Sequence, residues 1–410
     1  MISLLAHNPL LMLGCALLAG LAFAKLAQFF HVPSVTGFVL AGIVLGIVLA
    51  EHRVQLQRFD LVNDFALGFV AFVIGAELEL ARLWRLGRSV ICIVLAEALG
   101  AFFLVWLATW AWTGECGLGA LLGALASATA PAATVLVIRQ LKARGPLTTT
   151  LLAVVAIDDA LALMIYAFAA VFARGTLSTG VDLSWLSAFV APLGEIIGGI
   201  VSGVVIGGVF ALFIRRVRNQ AELLIAMCGG IILCDGIATQ WGFSELLCNM
   251  AFGFTLTNSV RDAMSRVLIA IDQLTPPVYT AFFVLAGAQL SLTACTTTFM
   301  LGLAACYTLA RIGGKLLGAR TGGWLGGAAP LVRRYVGFGL VSQVGVAIAL
   351  AVVIRREFGD FSVTLRGATY VLSTMVVNLL LFTTIATEIL GPILTRLALN
   401  RAGEVNQAEY

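Results

Sequence analysis

Charge is what this sequence has least of. Lys, Arg, Asp and Glu make up 11% of 410 residues against 60% hydrophobic ones, and the mean hydropathy is +1.03. A soluble domain carries about 25% charge and has no core large enough to hide so much apolar surface, so a water-soluble class is excluded. Histidine is nearly absent. His7, His31 and His52 all sit near the N-terminus, which argues against histidine-based catalysis. The eight cysteines (Cys15, Cys92, Cys116, Cys228, Cys234, Cys248, Cys295 and Cys306) form no CxxC pair and have no histidine cluster nearby. They read as small hydrophobes rather than metal ligands. No GxGxxG, no GxxxxGK[ST] and no Ser/His/Asp set stands out, which argues against ATP-driven or hydrolytic chemistry. Neither an enzyme, a cofactor nor a nucleic-acid partner is expected.

What the sequence does have is apolar runs. A hydrocarbon core roughly 30 Å thick needs about 20 apolar residues per helix. Runs near that length predict an all-α membrane protein of about thirteen spans: 9–30, 33–49, 60–80, 89–112, 117–138, 147–173, 186–214, 221–239, 242–257, 267–290, 297–319, 335–354 and 367–395. The first run has no Lys or Arg before it, so it is a structural helix rather than a cleaved signal. Arg and Lys gather on alternate loops (Arg139, Lys142, Arg144, Arg215, Arg216, Arg333, Arg334, Arg396), while the other set holds fewer (Arg53, Arg58, Arg174, Arg355, Arg356). That bias predicts an outside N-terminus and a cytoplasmic C-terminus, which requires an odd number of spans. The chain reads as one polytopic membrane domain, 1–410, with no soluble regulatory domain. Within it 9–112 is mainly scaffold plus the first repeat, 117–173 core, 186–290 linker and second-repeat scaffold, and 297–395 core.

An ionisable group at bilayer depth is costly and is a functional candidate by default. LLAVVAIDDALALMIYAF puts Asp158 and Asp159 roughly 17 Å into the sixth span, near the midplane. Neighbours on a helix point about 100° apart, so one aspartate can face a water-filled cavity while the other faces a helix. In the fifth span, Ser127, Thr129, Ala130 and Pro131 interrupt an apolar run. Pro131 removes a backbone donor and disfavours helix at Ala130, so a break is predicted over Ser127 to Ala132; a plain proline kink is the bland alternative. Broken helices at membrane depth line cavities, and their carbonyls can coordinate ions. The twelfth span repeats the pattern with Ser342, Gln343 and Gly345. An odd offset of seven spans reverses orientation, as in an inverted repeat with its site at the repeat interface.

The eleventh span supplies cations. Arg311 is expected roughly 21 Å down and Lys315 roughly 27 Å down, on one face. Arg311 is within reach of the aspartates and is expected to pair with Asp158. Snorkelling to the membrane edge is the bland reading of Lys315. Glu97, Glu195, Asp235 and Glu245 are further acids in apolar runs, read as partners for loop arginines or for a dimer seam.

These residues carry a family resemblance. VPSVTGFVLAGIVLG, FALGFVAFVIGAELEL, the stretch Ala120 to Leu163 through SATAP and IDDALAL, Arg311 to Arg320, and Leu340 to Ala349 resemble the monovalent cation:proton antiporter superfamily. They are most similar to its second family, bacterial sodium/proton and potassium/proton exchangers. The resemblance covers nearly the whole chain and implies inverted repeats with two crossed broken helices, a core domain, a dimerisation domain and a homodimer in an inner membrane. It implies that Asp159 binds the transported ion, Na⁺ or K⁺, in exchange for H⁺, and that Asp158 stands where electrogenic members pair an aspartate with a lysine. Counting back from the GAR triplet assigns that lysine position to Arg311, a departure that predicts electroneutral exchange. Ala130 is a second departure, since many members have a polar residue there. The expected mechanism is competition between cation and proton at Asp159, with Thr129, Ser127 and the carbonyls of the break completing an oxygen shell. A sodium-coupled organic solute symporter of related fold and a channel or sensor remain as alternatives.

Overall fold

The computed structural model describes residues 8–29, 34–48, 59–81, 87–177, 185–217, 219–288, 297–359, 361–365 and 368–405. The three histidines, Cys295 and the loop residues Arg53, Arg58, Arg82, Arg85, Arg218 and Arg366 lie outside the described residues.

The chain is nearly all helical: α1 Pro9–Phe29, α2 Ser34–Val48, α3 Asp60–Glu77, α4 Arg88–Thr113, α5 Cys116–Ser127, α6 Pro131–Gln140, α7 Pro146–Leu177, α8 Trp185–Ile214, α9 Gln220–Trp241, α10 Glu245–Ser259, α11 Arg261–Ala288, α12 Thr298–Leu325, α13 Pro330–Tyr335, α14 Gly345–Glu357 and α15 Leu372–Ala402. Among the described helices eight are long and apolar enough to cross a membrane, and a ninth is a bent pair, 330–340 with 345–357, turning by 48°. The expected count of thirteen includes α2 and α10, each only 15 residues long. At 1.5 Å per residue these rise about 22 Å, short of a full hydrocarbon core.

One element falls outside the all-helical expectation. Ser362–Leu365 and Ala368–Val371 form an antiparallel hairpin, β1 and β2, with Ser362 opposite Val371 and Leu365 opposite Ala368. Val, Thr and Tyr suit a pleated pair better than a helix, so α15 starts at Leu372 rather than at 367.

Contacts divide the chain into two compact units, one of residues 1–83 and 189–290, the other of 84–188 and 291–410. In the first, α1, α2 and α11 pack together, and α3 packs on α10 and α9 around Phe69, Phe72, Phe252 and Met227. In the second, α4 and α12 form the most extensive helix pair, and α5, α7 and the bent pair gather beside them. Glycine sets the closeness of α4 and α12. A Cβ on Gly318 would lie 2.6 Å from the Cα of Glu97, and one on Gly314 would lie 2.6 Å from the Cα of Ala101. Only glycine lets two backbones meet there.

Candidate functional site at two crossed helix breaks

The expected breaks are both present, in the second unit. α5 ends at Ser127, Ala128 and Ala130 are extended (ψ 142° and 107°), and Pro131 opens α6 as its first residue. Proline is pre-organised for that first position, so the break spans 128–130 and not the whole of Ser127 to Ala132. In the second break a short 3₁₀ turn, Val336–Leu340, follows α13, and 341–344 are non-helical before α14. The breaks touch: the Ala130 N–H donates to the Ser342 carbonyl at 2.9 Å. The Thr134 hydroxyl donates to the Gly339 carbonyl at 2.6 Å. Gln343 Nε2 donates to the Leu125 carbonyl at 2.7 Å and to the Tyr307 hydroxyl at 2.9 Å. Each interrupted segment thereby supplies partners for the other's freed backbone groups.

Arg311 ties this crossing together. Its Nε donates to the Ala126 carbonyl at 3.1 Å, Nη2 to Ala128 at 2.7 Å and to Ser342 at 3.3 Å, and Nη1 to Val341. A helix C-terminus exposes carbonyls and partial negative charge, and a wholly buried guanidinium satisfies two such ends at once. The expected Arg311–Asp158 pair is therefore corrected, because the guanidinium is spent on backbone carbonyls.

Lys315 takes that place. Its ammonium lies 3.0 Å from Asp158 Oδ2 and 2.6 Å from Glu97 Oε2, and all three side chains are wholly buried. It also donates to the Thr129 hydroxyl at 2.8 Å and to the Ser127 carbonyl. Snorkelling is thus corrected as well. α4 brings Glu97 close enough to compete for the ammonium, and a lysine with two carboxylates has no reason to leave. Glu97 is a partner of neither a loop arginine nor a dimer seam.

Of the aspartate pair, Asp158 is buried and Asp159 half-buried, one helical step of about 100° apart. Two of the expected cation ligands are engaged otherwise. Thr129 accepts from Lys315, and the Ser127 hydroxyl donates within its own helix to Ala124 at 2.7 Å. Ser342 is buried, and its hydroxyl has no hydrogen-bond partner among the described residues. Sequence reasoning passes over Glu388, a buried carboxylate on α15, one turn from Gly391, which packs against Ser342. The signal that would have found it is the one that found the aspartates, an acid inside an apolar run. Glu195, Asp235 and Glu245 lie in the other unit, where Asn249 donates to Asp235 at 2.6 Å and Thr239 to Glu245 at 2.6 Å.

Comparison with known proteins bears on the family and the fold. The family described as sodium/hydrogen exchanger, transmembrane, matches residues 13–401. The chain is similar to a probable Na(+)/H(+) antiporter 2 of Methanocaldococcus jannaschii, 23% identical over 301 residues, 67% of this chain and 67% of that protein. In fold it is similar to the sodium proton antiporter MjNhaP1 of the same organism at pH 8. There the TM-score is 0.77 and the identity 18% over 98% of this chain and 99% of that one. An electron-microscopy structure of MjNhaP1 matches with a TM-score of 0.71 and 19% identity, covering 97% of each chain.

Proposed function

Because this chain belongs to the sodium/hydrogen exchanger family, we propose that it exchanges a monovalent cation for protons through one carboxylate, Asp159, which holds the two ions in turn. The observation that supports this is the division of labour in the aspartate pair. Asp158 is buried and held by Lys315, whereas Asp159 is half-buried, on a different side of α7, and is not paired with that ammonium. A cation and a proton cannot occupy one carboxylate together, so each displaces the other and the two fluxes are coupled. Oxygen ligands suit a hard alkali cation, and the similarity to sodium proton antiporters favours Na⁺ over K⁺.

Alternating access follows if the unit bearing Asp159 moves as a body, because Arg311 fastens both breaks to one helix and leaves little freedom inside that unit. A homodimer in a bacterial inner membrane, with the N-terminus outside, completes the reading. The test is purified protein in liposomes with an internal pH dye. Addition of Na⁺ should move protons with the unaltered chain and not with Asp159→Asn of equal insertion and thermal stability. Exchange retained by that variant would refute the assignment.

A further inference from the structure

The second break carries an acid of its own. In the inverted repeat α15 follows that break as α7 follows the first, and Glu388 stands near the middle of α15 as Asp159 does in α7. The two acids differ in exposure: Asp159 is half-buried and Glu388 is buried.

The hydroxyls around Glu388 are the anomaly. A serine or threonine in a membrane helix ordinarily bonds back to a carbonyl three or four residues earlier. Thr383 does so to Leu380 at 2.9 Å, Thr387 to Thr384 at 3.1 Å and Thr395 to Gly391 at 2.8 Å. Thr384 does not. Its hydroxyl and that of Ser342 are buried, and neither has a hydrogen-bond partner among the described residues. An idle buried hydroxyl is costly, so two of them beside one acid call for a ligand.

Both hydroxyls lie within reach of Glu388. Thr384, Glu388 and Gly391 follow one another at single-turn spacing on one face of α15, and a Cβ on Gly391 would collide with Ser342 Oγ. Along the helix axis Thr384 is about 6 Å from Glu388 and Gly391 about 4.5 Å. Charge selects the kind of ligand. Arg311 and Lys315 on α12 are matched by Asp158 on α7 and Glu97 on α4, and Glu388, whose charge acts on the Arg311 guanidinium, makes the sum negative. Other charges on the helices packed against α15 stand at helix ends, Arg139 in the last turn of α6 and Arg355, Arg356 and Glu357 in that of α14. A carboxylate with two idle hydroxyls is a donor set for a hard cation.

We propose that Glu388, Thr384 and Ser342 bind a second monovalent cation, a hard one such as Na⁺, at the second break. The carboxylate supplies charge and the hydroxyls supply lone pairs, while water and the non-helical backbone of 341–344 complete the shell. Burial makes this a resident cation, which ties α15 to the second break, whereas the cation at Asp159 is the one transported. The site stands independently of the Asp159 assignment.

Na⁺ is titrated into the purified full chain at alkaline pH, with choline chloride holding the ionic strength constant, and the thermal midpoint is followed. A cation that binds only the folded chain raises that midpoint with its concentration. The parent and Asp159→Asn should both gain, the variant less, and Asp159→Asn/Glu388→Gln should gain nothing. A flat Asp159→Asn titration would overturn the second site, and so would a double variant that gains as much as Asp159→Asn. If that double variant does not fold, Asp159→Asn/Thr384→Val decides. It should need at least about threefold more Na⁺ for half its gain, the equivalent of one weak polar contact; an unchanged requirement would overturn the site. Glu388→Gln alone separates this site from the transport site. It should still gain through Asp159, and a flat titration there, with an undiminished gain in Asp159→Asn, would sink the Asp159 assignment and leave the second site standing.

Discussion

Lys315 Nζ lies 3.0 Å from Asp158 Oδ2, with neither side chain exposed. A buried pair of this kind matters most when it is half removed, since the remaining charge is stranded. Lys315→Met should lower stability by about 3–5 kcal/mol, seen as a fall in the thermal midpoint of purified protein in detergent. Asp158→Asn added to it should restore part of that loss, because one of the two carboxylates stranded by the loss of the ammonium, Asp158 and Glu97, is gone. Additive losses in the double variant would show that the two residues do not act as a pair.

Arg311 is a geometric fastener, and its replacement should show that. A lysine keeps the charge but cannot reach carbonyls on two broken segments with one nitrogen. Arg311→Lys should lose at least about tenfold in exchange rate, the equivalent of one charge-assisted hydrogen bond. The sequence alone supports the opposite outcome, since an arginine that merely paired with Asp158 would tolerate lysine. An unchanged rate in Arg311→Lys would contradict the carbonyl clamp.

Ser127 and Thr129 look equivalent in the sequence and should not behave so. The Ser127 hydroxyl bonds back to Ala124 in its own helix, so Ser127→Ala should leave exchange within about twofold of the parent, a difference under ~0.5 kcal/mol. Thr129→Val removes an acceptor from the Lys315 ammonium and should lower stability by roughly 1–3 kcal/mol. Thermal midpoints and liposome flux measured on both variants would distinguish them; equal effects would contradict the assignment of hydrogen bonds.

The aspartate helix is also held from outside the site. Glu404 accepts from the Leu147 N–H, the Thr148 N–H and the Thr148 hydroxyl, each at 2.7 Å, at the N-terminus of α7. A carboxylate there satisfies orphan donors and complements the helix dipole. Glu404→Ala should cost about 1–2 kcal/mol, and amide exchange at 147–148 should speed up while that of the α7 midsection does not. Unchanged protection at 147–148 would contradict the cap.

Much of this was legible in the sequence because bilayer physics leaves few options. Apolar length marks helices, and an acid or a proline at mid-span is expensive enough to stand out, as Asp158, Asp159 and Pro131 do. Pairing was not legible. Arg311 and Lys315 share one face of α12, and which of them meets Asp158 depends on where the carbonyls of two distant breaks come to lie, a tertiary fact with no local signature. Glu97 was visible as an acid in an apolar run, but its role depends on Gly314 and Gly318 admitting α4, a contact between segments some 220 residues apart in the chain. Of the hairpin, β1 falls in what reads as a loop and β2 hid at the start of the expected span 367–395, because Val, Thr and Tyr serve strand and membrane helix alike.

The central claim is that cation and proton compete at Asp159, and proton release on cation binding tests it most directly. Na⁺ is added to purified, weakly buffered protein and the pH change is followed with a soluble dye. The account predicts proton release from the unaltered chain, saturating with Na⁺, and none from Asp159→Asn of matched thermal stability. Release of as many protons by Asp159→Asn as by the parent would contradict it.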